Sequence, residues 1–383
     1  KYMKLPEIEK LYKGFWGKYK LLKIFKKEKI TKDRYKLSKA DKEMKNKKRT
    51  KYLSLIALTL FMFVAIFVSS MVGVISFSFS DIITMVTEKL GISESTSASN
   101  MQNTIFWNLR LPRIVLCLLV GAALSVCGAT YQSIFRNPLT DPYILGISSG
   151  ASLGAAISIL IGMDSQLFGI GAIALATALL TVLLIYKIAS IGNRMHTSTL
   201  LLTGVCFTFL ITAVISFLMV LNQDKMERII FWTMGSFAAA SWTDVLVTAP
   251  CVVIGICVVI YYSKDLNLLL VGSETAKSLG VNVERTKKHL LFFTTLMVAF
   301  AVSCCGVIGF VGLIVPHCIR LVVGADNRLI IPYSIFVGGI FLLMCDTLSR
   351  TVLQPSELPV GSITALVGSP MFIYLLWKSK KQL

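Results

Sequence analysis

The sequence predicts an all-α, polytopic membrane protein with ten transmembrane helices behind a basic cytoplasmic extension. Three observations carry that expectation. Of 383 residues, 55% are hydrophobic and only 15% charged, against about 25% charged in soluble domains. Mean hydropathy is +0.72, so most of the chain must sit outside water. The charge is also uneven: of a net +19, residues 1–51 hold 20 basic and 6 acidic residues.

A bilayer core of about 30 Å takes roughly 20 apolar residues per helix. That length predicts spans at 53–75, 112–133, 143–163, 168–189, 197–221, 244–263, 288–304, 306–324, 330–349 and 360–377. The first apolar run begins only at Leu53, too deep for a cleavable signal peptide. An even count puts both termini on one side, and Lys and Arg are retained in the cytoplasm. With the amino terminus inside, inner segments hold 33 basic residues and outer segments six, and without the tail the split is still 13 to six. Both termini are therefore expected in the cytoplasm, with 1–51 as the extension and 52–383 as the membrane domain.

Two segments between spans are long. The outer one, 76–111, carries the Ser-rich run SESTSAS and reads as a flexible loop after a short helix. The inner one, 264–287, alternates apolar and polar residues around Gly272 and Gly280, which predicts two short amphipathic helices against the cytoplasmic mouth.

Chemistry is hard to place on this chain. It has three histidines, no HExxH, no paired carboxylates within a span and no Ser/His/Asp set, so no catalytic residues are assigned. There is no GxxxxGK[ST] loop, so any use of ATP falls to another chain. The nine cysteines lie in apolar runs with no CxxC or metal-ligand spacing and read as small buried hydrophobes, with no metal site. No cofactor bound directly to the chain is expected.

Gly146, Gly150 and Gly154 recur on one helix face and read as helix packing. Gly306, Gly309 and Gly312, with Pro316, instead interrupt a hydrophobic span; broken helices are tolerated where they face protein or a cavity, so this is a candidate pathway wall. Arg110 and Arg113 frame Leu111-Pro112 at an outer helix end. They are either interfacial arginines reaching lipid phosphate or a docking site for acidic side chains of an external partner. Arg350, four residues after Asp346, poses the same question, with a local Asp346–Arg350 pair as the plainer answer.

The run RLPRIVLCLLVGAALSVCGATYQSIFRNPLTDPYILGISSGA, from Arg110 to Ala151, resembles the signature of the permease subunits of bacterial iron-siderophore, haem and cobalamin ABC importers, the FecCD type. Four more stretches agree in order: WTMGSF at 232–237, LNLLLVGSETAKSLGV at 266–281, GVIGFVGLIVPHCIR at 306–320 and DTLSRTVLQPSELPVGSITALVGSP at 346–370. The similarity as a whole covers about residues 53–383.

The resemblance implies a type II ABC importer permease of ten helices, pairing with a second copy or a paralogue around an axial pathway. Two cytoplasmic ATPase subunits would bind the ATP, and an extracytoplasmic binding protein would deliver a metal chelate: ferric siderophore, haem or cobalamin. By the same resemblance Arg110, Arg113 and Arg350 dock acidic residues of the binding protein. Leu268, Gly272, Glu274, Ala276, Leu279 and Gly280 belong to the segment that couples to the ATPase. A cytoplasmic gate falls at Asn137 and Leu139 and at His196, Thr197 and Ser198, with His196 a departure from the family's small polar residues. The amino-terminal extension departs further. Its Ile8, Leu11, Tyr12, Phe15, Tyr19 and Leu22 suit an anionic leaflet, a solvated basic tail fits equally, and no motif supports nucleic-acid binding. The competing reading, an ion-coupled secondary transporter, wants ionisable residues at the midplane, and the spans are nearly free of them.

Overall fold

The computed structural model describes residues 53–73, 75–91, 100–163, 169–191, 194–195 and 197–380. The extension 1–51, the run 93–99 and His196 lie outside them. Residues 1–60 and 61–383 form two compact units. Of the first, only 53–60 are described, as the opening turns of a helix.

In chain order the helices are α1 (Leu53–Met71), α2 (Phe79–Lys89), α3 (Met101–Ile134), α4 (Ile147–Leu160), α5 (Gly169–Ala189), α6 (Thr197–Leu221), α7 (Gln223–Thr233), α8 (Trp242–Tyr261), α9 (Ser263–Val271), α10 (Ser273–Ser278), α11 (Val283–Cys305), α12 (Val311–Val323), α13 (Asn327–Ser349) and α14 (Val360–Lys380). A two-residue antiparallel ladder, Ser190–Ile191 with Arg194–Met195, stands before α6.

Among the described residues seven helices are long and apolar enough to cross a membrane: α1, α3, α5, α6, α8, α11 and α13. The third and eighth predicted spans correspond to shorter apolar helices, Ile147–Leu160 and Val311–Val323, and the tenth to α14. Each predicted span thus has an apolar helix, and seven of these reach membrane-crossing length among the described residues. The third predicted span loses its start to a 3-10 turn, Pro142–Leu145, and the eighth loses its start to non-helical backbone from Gly306 to Phe310. The second is longer than predicted, because α3 continues outward through Gln102 and Asn103, which are too polar for an apolar ruler. Within it Ile105–Arg110 is π-helical. Pro112 follows at once, and a proline in a helix cannot donate to the carbonyl four residues back and crowds it, which favours a widened turn.

α3 is the buried axis, while α6 is largely exposed and apolar on most of its surface. Helices in lipid gain little from hydrophobic burial against one another, so close packing through small residues decides which meet. A Cβ on Gly121 would overlap the Gly338 carbonyl of α13, and one on Gly128 would overlap the Gly312 carbonyl of α12. The 146–154 stripe packs as its spacing predicts: Gly150 fits against Thr181 and Ala178, and Gly154 against Thr177 and Ala174, all on α5.

Candidate functional site

Three places along α3 gather the polar groups, and the first is its outer end. Arg110 and Arg113 are 8% exposed and Arg350 is 4% exposed. Arg113 donates from Nε and Nη2 to Asp346 Oδ1 at 3.0 and 2.8 Å, and from Nη1 to Glu357 Oε1 at 3.0 Å. Arg350 Nε lies 3.2 Å from Asp346 Oδ2, so the local pair exists, but Asp346 is shared. Arg350 Nη2 also donates to Ser69 Oγ at 2.8 Å. Arg110 has no carboxylate; it donates to the carbonyls of Ser70 at 2.8 Å and Ile75 at 2.6 Å and lies 4.6 Å from the Phe77 ring centre. The cluster thus ties α1, α3, α13 and the 350–359 loop together. Arg113 and Arg350 are paired with carboxylates of the chain, while Arg110 is held by backbone carbonyls and a ring face.

The second place is the break after α11. Gly306 takes φ +72° and Phe310 φ +69°, left-handed values that return the chain into α12. Exposed backbone at membrane depth needs partners, and it finds them in two other breaks. Ser236 N donates to Cys305 O at 2.8 Å, Val360 N to Gly235 O at 3.0 Å, and Gly361 N to Met234 O at 3.1 Å. Tyr143 Oη, from the 3-10 turn, donates to Ile308 O at 3.0 Å and accepts from Ile308 N at 3.2 Å. A Cβ on Gly306 would strike the Trp232 carbonyl, and one on Gly361 the Met234 carbonyl. Three irregular segments thus satisfy one another, with Gly306 and Ile308 buried and Val307, Gly309 and Phe310 partly exposed.

The third place is the inner end. Asn137 Oδ1 accepts from Leu139 N at 2.9 Å, an Asx turn that holds Leu139 outward and half exposed. Thr197 is half-buried and Ser198 exposed at the start of α6. The two expected gate segments belong to packed neighbours, since Gly204 of α6 lies against the Ile144 carbonyl of the 3-10 turn. Asp141 caps that turn, accepting from Tyr143 N at 2.8 Å, and burial pushes its carboxyl up to about 6. A raised acid favours the protonated fold, so stability falls as pH rises from 3.8 through about 6 and stays lower above. Asp141→Asn, which keeps an acceptor, is expected to gain about 2 kcal/mol at pH 7.5 and nothing at pH 3.5, read from thermal unfolding in detergent.

The inner segment 264–287 forms the two short helices its pattern predicts, α9 and α10, hinged at Gly272 with φ +151°. Leu266, Leu269 and Ala276 are buried, Leu268 is half-buried, and Glu274, Leu279 and Gly280 face outward. Of the six residues expected to couple, the exposed three form the surface and Ala276 anchors it. Asn267 Nδ2 donates to Asp326 Oδ1 at 2.7 Å, Asn327 N donates to Asn267 Oδ1 at 2.8 Å, and Ser133 Oγ donates to Asn327 Oδ1 at 3.0 Å. The Arg328 guanidinium holds the Asp326 carboxyl down at about 2, so this acceptor stays ionised. A polar chain therefore runs from α9 through the start of α13 to the inner end of α3. Among the described residues no group of three His, Cys, Asp or Glu side chains could hold a metal.

Residues 60–378 match the FecCD transport family. The chain belongs to that family. It is 46% identical over 272 residues to the cobalamin import system permease BtuC of Halobacterium salinarum, covering 71% of this chain and 73% of the relative. It is 38% identical over 300 residues to the hemin transport permease HmuU of Yersinia pestis, covering 75% and 87%. A solved structure described as an inward-facing conformation, of a protein assigned to the metal-chelate type of ABC transporter, superposes with a TM-score of 0.74 at 31% identity, covering 85% of this chain and 98% of the other. This FecCD permease is thus a multi-pass membrane protein with the type II ABC importer permease fold. Sequence reasoning about the FecCD motifs missed four residues with clear work: Glu357, Tyr143, Gly235 and Asn267. WTMGSF and SELPVG pointed to the first and third only as strings. Tyr143 and Asn267 likewise sit inside motif strings, and their partners lie 165 and 59 positions away.

Proposed function

We propose that this chain is the membrane subunit of an ATP-driven importer that passes a metal chelate, such as cobalamin, haem or a ferric siderophore, into the cytoplasm. In this reading both termini are cytoplasmic, a second permease subunit completes the pathway, two ATPases seat on the α9–α10 surface, and a binding protein approaches the Arg110, Arg113 and Arg350 end. The observation that carries it is the continuous polar and helical link between the two partner faces. α3 holds Arg113 near one end and Ser133 near the other, 20 residues apart, about 30 Å of helix and so about one bilayer core. Docking at one end and nucleotide-driven motion at the other would act on one rigid body.

Because the arginines are already paired internally, an incoming carboxylate would meet Arg113 in competition with Glu357, the more exposed of its two acids. The basic bias of the inner segments supports the orientation, and the scarcity of midplane charge favours ATP over ion coupling. The reading is tested at Leu279, an exposed apolar residue on an otherwise polar segment. Leu279→Asp is expected to leave the permease folded and lower binding-protein-stimulated ATP hydrolysis of the reconstituted complex by about tenfold or more, the loss of one buried apolar anchor at an interface. Unchanged stimulation and assembly would exclude this surface as the ATPase seat.

A further inference from the structure

α2 carries more apolar surface than the protein beneath it uses. Ile82 and Met85 are buried in a cluster with Phe77 and Phe106. Phe79, Ile83, Val86 and Leu90 are 58%, 45%, 36% and 67% exposed. At about 100° per residue these four fall within an arc of about 60°. Ser80, Thr84, Thr87 and Glu88 fall on a separate arc of about 100°, centred about 120° around the helix from the stripe. The helix therefore has three faces: one against the protein, one polar, and one apolar and largely exposed among the described residues, touched by the Phe67 ring at Phe79.

We propose that α2 is an interfacial helix whose Phe79–Leu90 stripe sits among the acyl chains of the leaflet on the arginine-cluster side, its polar face turned to water. The lipid occupant follows from continuity. The Phe67 ring of α1 meets the Phe79 ring edge-on at 5.2 Å, which joins the stripe to the exposed apolar face of α1 at Val64, Val68 and Val72. Boundary residues stand beside it. Trp242 Nε1 donates to the Trp107 carbonyl at 2.8 Å, and Lys89 Nζ lies 5.9 Å from the Trp107 ring centre. Tryptophan with a snorkelling lysine at a helix end is the composition of a membrane–water boundary. The helix is fixed in rotation by Ile82 and Met85 in the cluster with Phe77 and Phe106 and starts at a reciprocal cap, Ser78 N donating to Asp81 Oδ2 at 2.8 Å and Asp81 N to Ser78 Oγ at 3.2 Å. Three residues before that cap, the Ile75 carbonyl accepts from Arg110. The depth of α2 in the leaflet thereby sets the depth of the arginine cluster. This inference rests on the membrane-spanning architecture and not on the substrate or the partners.

The test uses the full chain at low density in vesicles of phosphatidylcholine and phosphatidylglycerol. Ile83→Cys, Val86→Cys and, on the polar face, Ser80→Cys are exposed in turn to a membrane-impermeant maleimide, and the labelled peptide is identified by mass so that native cysteines do not count. Labelling at 83 and 86 is expected to be about tenfold slower than at 80, and to stay so after further dilution with lipid. In a second measurement, Ile83→Trp should lose at least about twice as much fluorescence as Ser80→Trp in vesicles of chain-brominated phosphatidylcholine. Equal labelling at 80 and 83 would overturn the proposal. So would protection that disappears on lipid dilution, which would make a second copy the occupant, or quenching no greater at 83 than at 80.

Discussion

Replacing Asp346 by alanine is expected to lower the melting temperature of the detergent-solubilised protein by on the order of 10 °C, the shift that a loss of about 3–5 kcal/mol would bring. Asp346 is 0% exposed and neutralises two arginines that are themselves buried. Breaking a buried pair costs more than the pair contributes, because it strands charge without water. Here it strands two, since Glu357 reaches Arg113 only through Nη1 and Arg350 would keep only Ser69, Thr347 and the Val72 carbonyl. Asp346→Asn should fall between, keeping an acceptor and losing the charge. Glu357→Gln should cost only about 1 kcal/mol, since that acid is partly solvated and Arg113 retains Asp346. The measurement is thermal unfolding of the three variants side by side. An order other than Asp346→Ala, then Asp346→Asn, then Glu357→Gln would show that the outer cluster is not organised around Asp346.

That cluster shows where sequence reading stops. The spacing of Asp346 and Arg350 made a one-turn pair visible, and the structure contains it. The same carboxylate's stronger engagement with Arg113, 233 residues earlier, has no local trace. An arginine at a helix end therefore read as a group facing outward, whereas the fold turns it inward. Hydropathy located every long helix because period and length are local properties. It draws two spans too long where backbone breaks, at Pro142–Leu145 and Gly306–Phe310, lie inside apolar sequence. Those breaks are stable only because the 232–237 turn and the start of α14 supply hydrogen bonds from far along the chain. The inner segment was legible down to its two helices and its Gly272 hinge, since alternation and glycine placement suffice for both. Its connection to α3 through Asn267, Asn327 and Ser133 depends on three side chains that read as unremarkable polar residues.

Gly128→Ala is expected to destabilise the protein by about 3 kcal/mol, and Gly128→Leu to abolish recovery of a monodisperse species, because the added atoms meet backbone and not a side chain that can turn away. A Cβ at 128 would overlap the Gly312 carbonyl, with the rest of that peptide behind it. α12 cannot retreat easily. Gly312 is itself closed in by the Pro142 ring and the Leu124 carbonyl, and Gln132 Nε2 donates to Leu313 O at 3.0 Å on the same seam. Gly309 supplies the contrast. It belongs to the same glycine-rich stretch, yet a Cβ there meets nothing within 4 Å and its φ is not left-handed. Gly309→Ala should therefore leave the stability within about 0.5 kcal/mol of the parent, the range of substitutions that touch no packed feature. If both alanine variants melt alike, the α3–α12 seam has room that the backbone positions exclude. If 128 alone is intolerant, the glycines of this motif divide into one that lets two helix backbones touch and one that leaves the wall open.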